Sequence, residues 1–294
     1  MGILQGVSPF GLVRSNTIPF WLWWNLLSLD APTVAIIWAL VFTRAHHMTL
    51  SPADVVSLLC AIWVIYTSDR LMDGWRGRNR AEFQERHRFC SRHRGLLACL
   101  LTVAVVIGLV AATRYLAHTE VMAAIKLTAV ICTYMAGVHV GDGWLTRIVP
   151  KEAAVGVLFT AGATLPLWSH HTTFSWEVWA SFALFAILCS LNCFAIECWE
   201  AGERPSNMAH HPFLKWANVR LAWVAAAVAV SAILVLLPMR ANGFRGSELC
   251  GICLTALLII LIDLRRNRFS STALRVLADA ALVVAGLLVL ITEP

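Results

Sequence analysis

The stretch from Leu50 to Gly74, LSPADVVSLLCAIWVIYTSDRLMDG, decides how the chain is read. Leu50 to Tyr66 is an apolar run that continues toward Met72, and a membrane-spanning helix needs about 20 such residues. At its far end Asp69 and Asp73 stand four residues apart, on one face of a helix. Two carboxylates at a helix end inside a membrane protein are costly unless they bind something. A divalent metal carrying a phosphate fits them, because Mg²⁺ takes oxygen ligands and keeps substrate phosphates in its shell.

Composition supports the membrane reading. Of 294 residues, 59% are hydrophobic and only 14% charged, and the mean hydropathy is +0.72. A soluble domain of this size is far less apolar. The formal charge of +6 comes from arginine-rich loops and not from a nucleic-acid module, so it reads as topology and lipid contact. The nine cysteines fall mostly inside apolar runs, as small buried hydrophobes do. Cys250 and Cys253 have the spacing of a redox or zinc half-site without a second half. No cleavable signal peptide is expected at the start of the chain.

Nine runs suit spans: Trp24–Thr43, Leu50–Tyr66 toward Met72, Gly95–Leu116, Val121–Val140 and Glu152–Trp168, then Trp176–Cys198, Trp216–Leu237, Cys250–Leu264 and Leu274–Ile291. The expected division is a cytoplasmic or interfacial segment over 1–23, with Trp21, Trp23 and Trp24 at the membrane surface, and a helical membrane domain over 24–294. The loop after the second run is crowded with arginines from Arg70 to Arg94. Arg147 and Lys151 follow the fourth run, Arg204 and Lys215 the sixth, and Arg265, Arg266 and Arg268 the eighth. The positive-inside rule then puts the N-terminus in the cytoplasm and the C-terminus outside. The expected location is an integral, multi-pass position in a bacterial inner membrane.

A second acidic site ends the sixth run: Asn192-Cys-Phe-Ala-Ile-Glu197-Cys-Trp-Glu200. Glu197 and Glu200 share a face, and Asn192 is nearly aligned with Glu200 two turns away. Facing acidic helix ends can hold Mg²⁺ ions bridged by a diphosphate, and metal binding stabilises the charge that develops as diphosphate leaves. Arg70, Arg147 and Lys151 are placed to add charge-assisted hydrogen bonds to phosphate. One such motif alone equally suits a solvated ion pair. Two on matching ends of separate spans favour the metal–diphosphate reading.

On these residues the chain resembles the UbiA-type intramembrane prenyltransferase superfamily. That family has nine transmembrane helices, with one aspartate-rich motif after the second and another after the sixth. Asp69, Asp73 and Gly74 match the later part of the first motif, with Arg70 where the family often has Arg; Asn192, Phe194 and Glu200 resemble the second. Arg147 through Gly156 resembles the basic segment and glycine that open the fifth helix. The sequence departs at Ile65 and Tyr66, where the family has Asn-Asp, and at Cys193, where many members have Asp. Glu197 and Glu200 stand in place of shorter aspartates.

The resemblance implies an all-α bundle of nine helices around a cytoplasm-facing cavity. It implies a Mg²⁺-dependent enzyme that moves a polyprenyl group from its diphosphate to a lipophilic acceptor, aromatic or a quinone precursor. Asp69, Asp73, Asn192, Glu197 and Glu200 would hold Mg²⁺. Tyr66 and Phe194, within a turn of the acidic motifs, would shield an allylic cation, for which cation–π attraction gives the physical reason. Terpene cyclisation uses the same ionisation and is the alternative. A non-catalytic lipid- or diphosphate-binding protein or transporter is the second alternative, to which the absent Asn-Asp gives support.

Three further expectations concern ionisable residues. Asp30 is expected to cap the first span beside Pro32, and Arg275 to pair with Asp279 one turn away. His170-His171 and His210-His211 are expected to be ordinary loop residues without a metal.

Overall fold

The computed structural model describes residues 20–76, 92–139, 149–170, 173–201, 212–241 and 245–292. The described residues form helices and no strand. In chain order these are α1 (Phe20–Leu26), α2 (Asp30–Ala45), α3 (Pro52–Arg76), α4 (Arg94–Tyr115), α5 (His118–His139) and α6 (Lys151–Ala163). There follow α7 (Leu165–Trp168), α8 (Trp176–Ala201), α9 (Pro212–Ala241), α10 (Ser247–Leu264), a 3₁₀ turn at Arg266–Arg268, and α11 (Ser271–Thr292).

Seven helices, α3, α4, α5, α8, α9, α10 and α11, are long and apolar enough to cross a membrane. The other two expected spans are shorter. α2 has 16 residues, about 24 Å at 1.5 Å per residue, against a hydrocarbon core of about 30 Å. Its expected start at Trp24 is cut by a turn in which Ser28 adopts φ 59°. The run Glu152–Trp168 breaks at Thr164, so α6 has 13 residues and α7 only four. Pro166 in the first turn of α7 has no N–H to give to the Gly162 carbonyl and its ring crowds that carbonyl, which accounts for the break.

Local chemistry sets other boundaries. α3 opens with a capping box: Asp54 N–H donates to Ser51 Oγ at 3.2 Å, and Ser51 N–H donates to Asp54 Oδ2 at 2.8 Å. Pro52 occupies the first helical position, where a missing N–H does no harm. α2 ends in a Schellman closure, with His47 at φ 57° and bonds from Met48 N–H to Thr43 O and from His47 N–H to Arg44 O.

α2, bounded by the left-handed Ser28 and His47, lies inside the bundle. Trp38, Phe42 and Val41 are buried, and α2 packs on α3, α11, α10 and α6. Trp38 stacks on Phe185 of α8 with ring centroids 4.4 Å apart, and Phe42 meets Phe182 edge-on at 5.5 Å. The Trp38 indole N–H donates to Leu282 O of α11 at 3.1 Å, satisfying its one polar group in the core. α8 is the other central helix, against α6, α9, α10 and α11. By contrast α4 and α5 turn apolar residues such as Leu109 and Ile125 outward, as lipid-facing helices do.

The bundle has two chemically distinct ends. α3, α8 and α10 finish, and α2, α6 and α11 begin, at the end that carries both acidic motifs. Arg44, Arg245 and Leu290 lie together at the opposite end.

Candidate functional site

The first acidic motif meets the opening of α6. Lys151 Nζ donates to both carboxylate oxygens of Asp69, at 3.1 and 3.0 Å. The pair is half-open to solvent, at 35% and 20% side-chain exposure. α3 continues without a break through Asp73, so Asp69 and Asp73 keep their i, i+4 relation. The Asp73 side chain and Arg147 lie outside the described residues.

Arg70 takes a different direction. It is buried, donates to Asn25 O, and pairs with Asp30 Oδ2 at 3.1 Å. Its guanidinium also lies 4.6 Å from the centre of the Tyr66 ring. Asp30 accepts further hydrogen bonds from Asn25 Nδ2 at 2.7 Å and Ala31 N–H at 3.1 Å. The expected cap is not formed: Leu29 holds the capping position without a side-chain hydrogen bond, and Asp30, the first residue of α2, is instead a buried ion-pair hub joining α1, α2 and α3. The Tyr66 face expected to meet an allylic cation meets Arg70, and Arg70 serves the α2–α3 contact away from Lys151.

In the second motif, Asn192 is buried and its Nδ2 donates to Asp279 Oδ1 of α11 at 3.1 Å. Its Oδ1 is buried with no hydrogen-bond partner among the described residues. Glu200 is buried and accepts two hydrogen bonds from Arg275, from Nε at 2.8 Å and from Nη2. The expected intrahelical pairing of Arg275 with Asp279 is replaced by these two contacts between α8 and α11. The reason is depth: a buried charge needs a partner at its own level, and α8 supplies one for each. Glu197 and Phe194 lie half-buried on α8. Nearby, Trp199 Nε1 and Arg266 both donate to Asp263 Oδ1, at 2.9 and 3.3 Å.

The start of α6 lies between the two motifs. Cys193 is within the electrostatic reach of Asp279, Glu152 and Lys151, and Tyr134 of α5 within that of Lys151, Glu152 and Asp69. The Tyr134 hydroxyl is buried and without a hydrogen-bond partner among the described residues. Asp69, Lys151, Glu152, Tyr134, Asn192 and Asp279 thus form one polar zone fed by five helices. Glu152, Tyr134 and Asp279 were not singled out as site residues in the sequence. The signal for Asp279 was its depth, since an ionisable residue inside a span is by default a functional hypothesis.

The oxygen donors of this zone suit a hard cation, and the orphaned Asn192 Oδ1 has room in its bonding for one more partner. Among the described residues no three His, Cys, Asp or Glu side chains converge as a metal-binding group. The His170 of the first histidine pair lies at the opposite end, its Nε2 3.5 Å from Glu120 Oε2. None of the family models, curated proteins or solved structures compared with the chain matches it.

Proposed function

We propose that the chain is a membrane prenyltransferase that binds a polyprenyl diphosphate at the acidic end of the bundle. The observation that carries this reading is the Asp69–Lys151 pair, which joins the first acidic motif to the opening of α6 across 82 residues of sequence. A cation and an anion side by side suit a metal–diphosphate ligand better than either charge alone. Lys151 is the first residue of α6, where the helix dipole adds positive potential and backbone N–H groups point at an incoming anion.

Asp69, Asp73 and Asn192 would hold the cation, with Asp279 behind Asn192 orienting its amide. Glu197, half-buried on α8, would be a further ligand. Glu200 supports the site through Arg275. Mg²⁺ bound with the diphosphate supplies charge neutralisation for the leaving group. Lys151 and Arg147 bind phosphate oxygens, and Lys151 exchanges Asp69 for phosphate as the ligand enters. Phe194 and the apolar wall of α8 exclude water from the allylic cation, and a lipophilic aromatic or quinone-precursor acceptor captures it. In this reading nine helices surround a cytoplasm-facing cavity, with α2 and α6 as short members, the N-terminus in the cytoplasm and the C-terminus outside.

A second reading, diphosphate or lipid binding without turnover, is favoured by the engagement of Glu200 with Arg275, which removes one expected ligand. Purified protein incubated with Mg²⁺ and a panel of prenyl diphosphates, with and without aromatic acceptors, separates the readings. A prenylated acceptor supports transfer. A hydrocarbon formed without acceptor means cyclisation, and unchanged diphosphate removes catalysis.

A further inference from the structure

A cavity of about 560 Å³ opens at the end of the bundle opposite the acidic site, between the close of α2, the start of α10 and the close of α11. Its size falls within the range of roughly 300–1,000 Å³ usual for small-molecule sites. Arg44, His47 and Arg245 line it beside Leu40, Met48 and Leu290, and no Asp or Glu is among the described lining residues. Its polar wall is therefore of one sign and its floor apolar.

We propose that this cavity binds the headgroup of an anionic phospholipid, with the phosphate between Arg44 and Arg245. Three features point there, all independent of the acidic end. Arg44 is fixed in place by donating from Nη1 to Leu290 O at 2.8 Å, one of the last carbonyls of α11, which lack intrahelical donors. A guanidinium has five N–H donors in a planar fork, so holding this carbonyl and binding a phosphate are compatible. The left-handed His47 that closes α2 turns the chain around the same cavity.

The second feature is depth. α10 and α11 are apolar enough to span, and the cavity sits at their shared end, where headgroups lie. The third is the adjoining surface. Leu287 and Ile291, on the turns of α11 next to Leu290, are exposed and form an apolar track for an acyl chain. Glu248 in the first turn of α10 is fully buried and does not line the cavity, so a zwitterionic lipid would bring its ammonium among the three basic side chains of the described lining. That selects an anionic lipid over a zwitterionic one, and the apolar floor selects a lipid over free phosphate.

The test uses the full chain purified in detergent, offered equimolar phosphatidylglycerol and phosphatidylcholine and read by native mass spectrometry. Wild type should retain phosphatidylglycerol preferentially, and each of R44Q and R245Q should lower that retention about fivefold, the effect of one basic residue near an anionic headgroup. R114Q, an exposed change at the same end on α4, should leave it unchanged. Equal retention of the two lipids by wild type overturns the proposal, as does undiminished phosphatidylglycerol binding in the double variant. Displacement of the lipid by millimolar inorganic phosphate overturns the lipid assignment. If the double variant does not stay monodisperse, R245Q alone decides, because Arg245 lies outside any helix.

Discussion

Lys151 Nζ sits 3.0 Å from Asp69 Oδ2 and 3.1 Å from Oδ1, a forked contact between the last third of α3 and the first residue of α6. Partly exposed pairs of this kind contribute about 0.2–1 kcal/mol to stability. A contact so weak thermodynamically, between two ends that both face the acidic zone, is well suited to open for a ligand.

The first prediction follows from that weakness. D69N and K151Q should each leave the melting temperature within about 3 °C of wild type, as a loss below ~1 kcal/mol implies for a chain of this size. D69N should abolish Mg²⁺-dependent diphosphate release, and K151Q should raise the KM for prenyl diphosphate. Full turnover in D69N would remove the first motif from the mechanism.

Glu200 behaves in the opposite way. With Arg275 it forms a buried pair, and removing one partner strands the other charge at a cost of about 3–5 kcal/mol. E200A should therefore unfold at markedly lower temperature, whatever happens to diphosphate binding. Replacing both residues, as E200M with R275M, should recover most of the loss, because the double variant removes both charges of the pair together. A double variant as unstable as E200A would mean that Glu200 matters through another partner.

The contrast between these two pairs shows what the sequence could and could not reveal. The seven long spans were legible because hydropathy is a local property, summed over some 20 neighbouring residues. Asp69 and Lys151 each stood out beside a basic loop, but their contact with one another did not, since it depends on how α3 and α6 meet. The partners of Arg70, Asn192, Glu200 and Arg275 were not legible. Arg275 and Asp279 satisfy the i, i+4 rule, yet each finds its partner on α8, 75 and 87 residues away. Helix-face rules place a side chain around its own axis, and only the packing of α8 against α11 decides which charges share a depth. The burial of α2 was hidden for the same reason. Its composition is that of a span, and its burial by α3, α6, α10 and α11 is a property of the bundle.

Gly156 tests the packing that carries Lys151. A Cβ at this position would lie 2.6 Å from both Ala186 O and Ser190 N of α8. These are backbone atoms, so relief requires α6 and α8 to separate, and small residues at membrane helix contacts permit such close approach. G156A should cost about 1–3 kcal/mol, the usual range for overpacking, and should weaken diphosphate binding by displacing Lys151. G95A, with nothing within 4 Å of its added Cβ, is the matched control and should be tolerated. Equal thermal stability of the two variants, measured by unfolding in detergent, would show that α6 can move away freely.

Ser28 offers a gain in stability. It closes α1 with φ 59°, and Leu29 N–H to Trp24 O at 3.0 Å with Ser28 N–H to Asn25 O at 3.1 Å completes a Schellman closure. A left-handed conformation costs an L-residue about 1–2 kcal/mol, and glycine escapes this while losing about 0.5–1 kcal/mol in extra chain entropy. S28G should therefore stabilise the protein by about 0.5–1 kcal/mol, whereas S28A, which keeps a Cβ, should not. The position has consequences beyond its own turn. Asn25 O also accepts from Arg70, and Asn25 Nδ2 donates to Asp30, so the turn holds the ion-pair hub that joins α1, α2 and α3. Because S28G keeps every backbone bond of the closure, the hub should persist and diphosphate chemistry should be unchanged. A drop in melting temperature for S28G would mean that the Ser28 hydroxyl, buried at 2% exposure, contributes more than the strain its backbone carries.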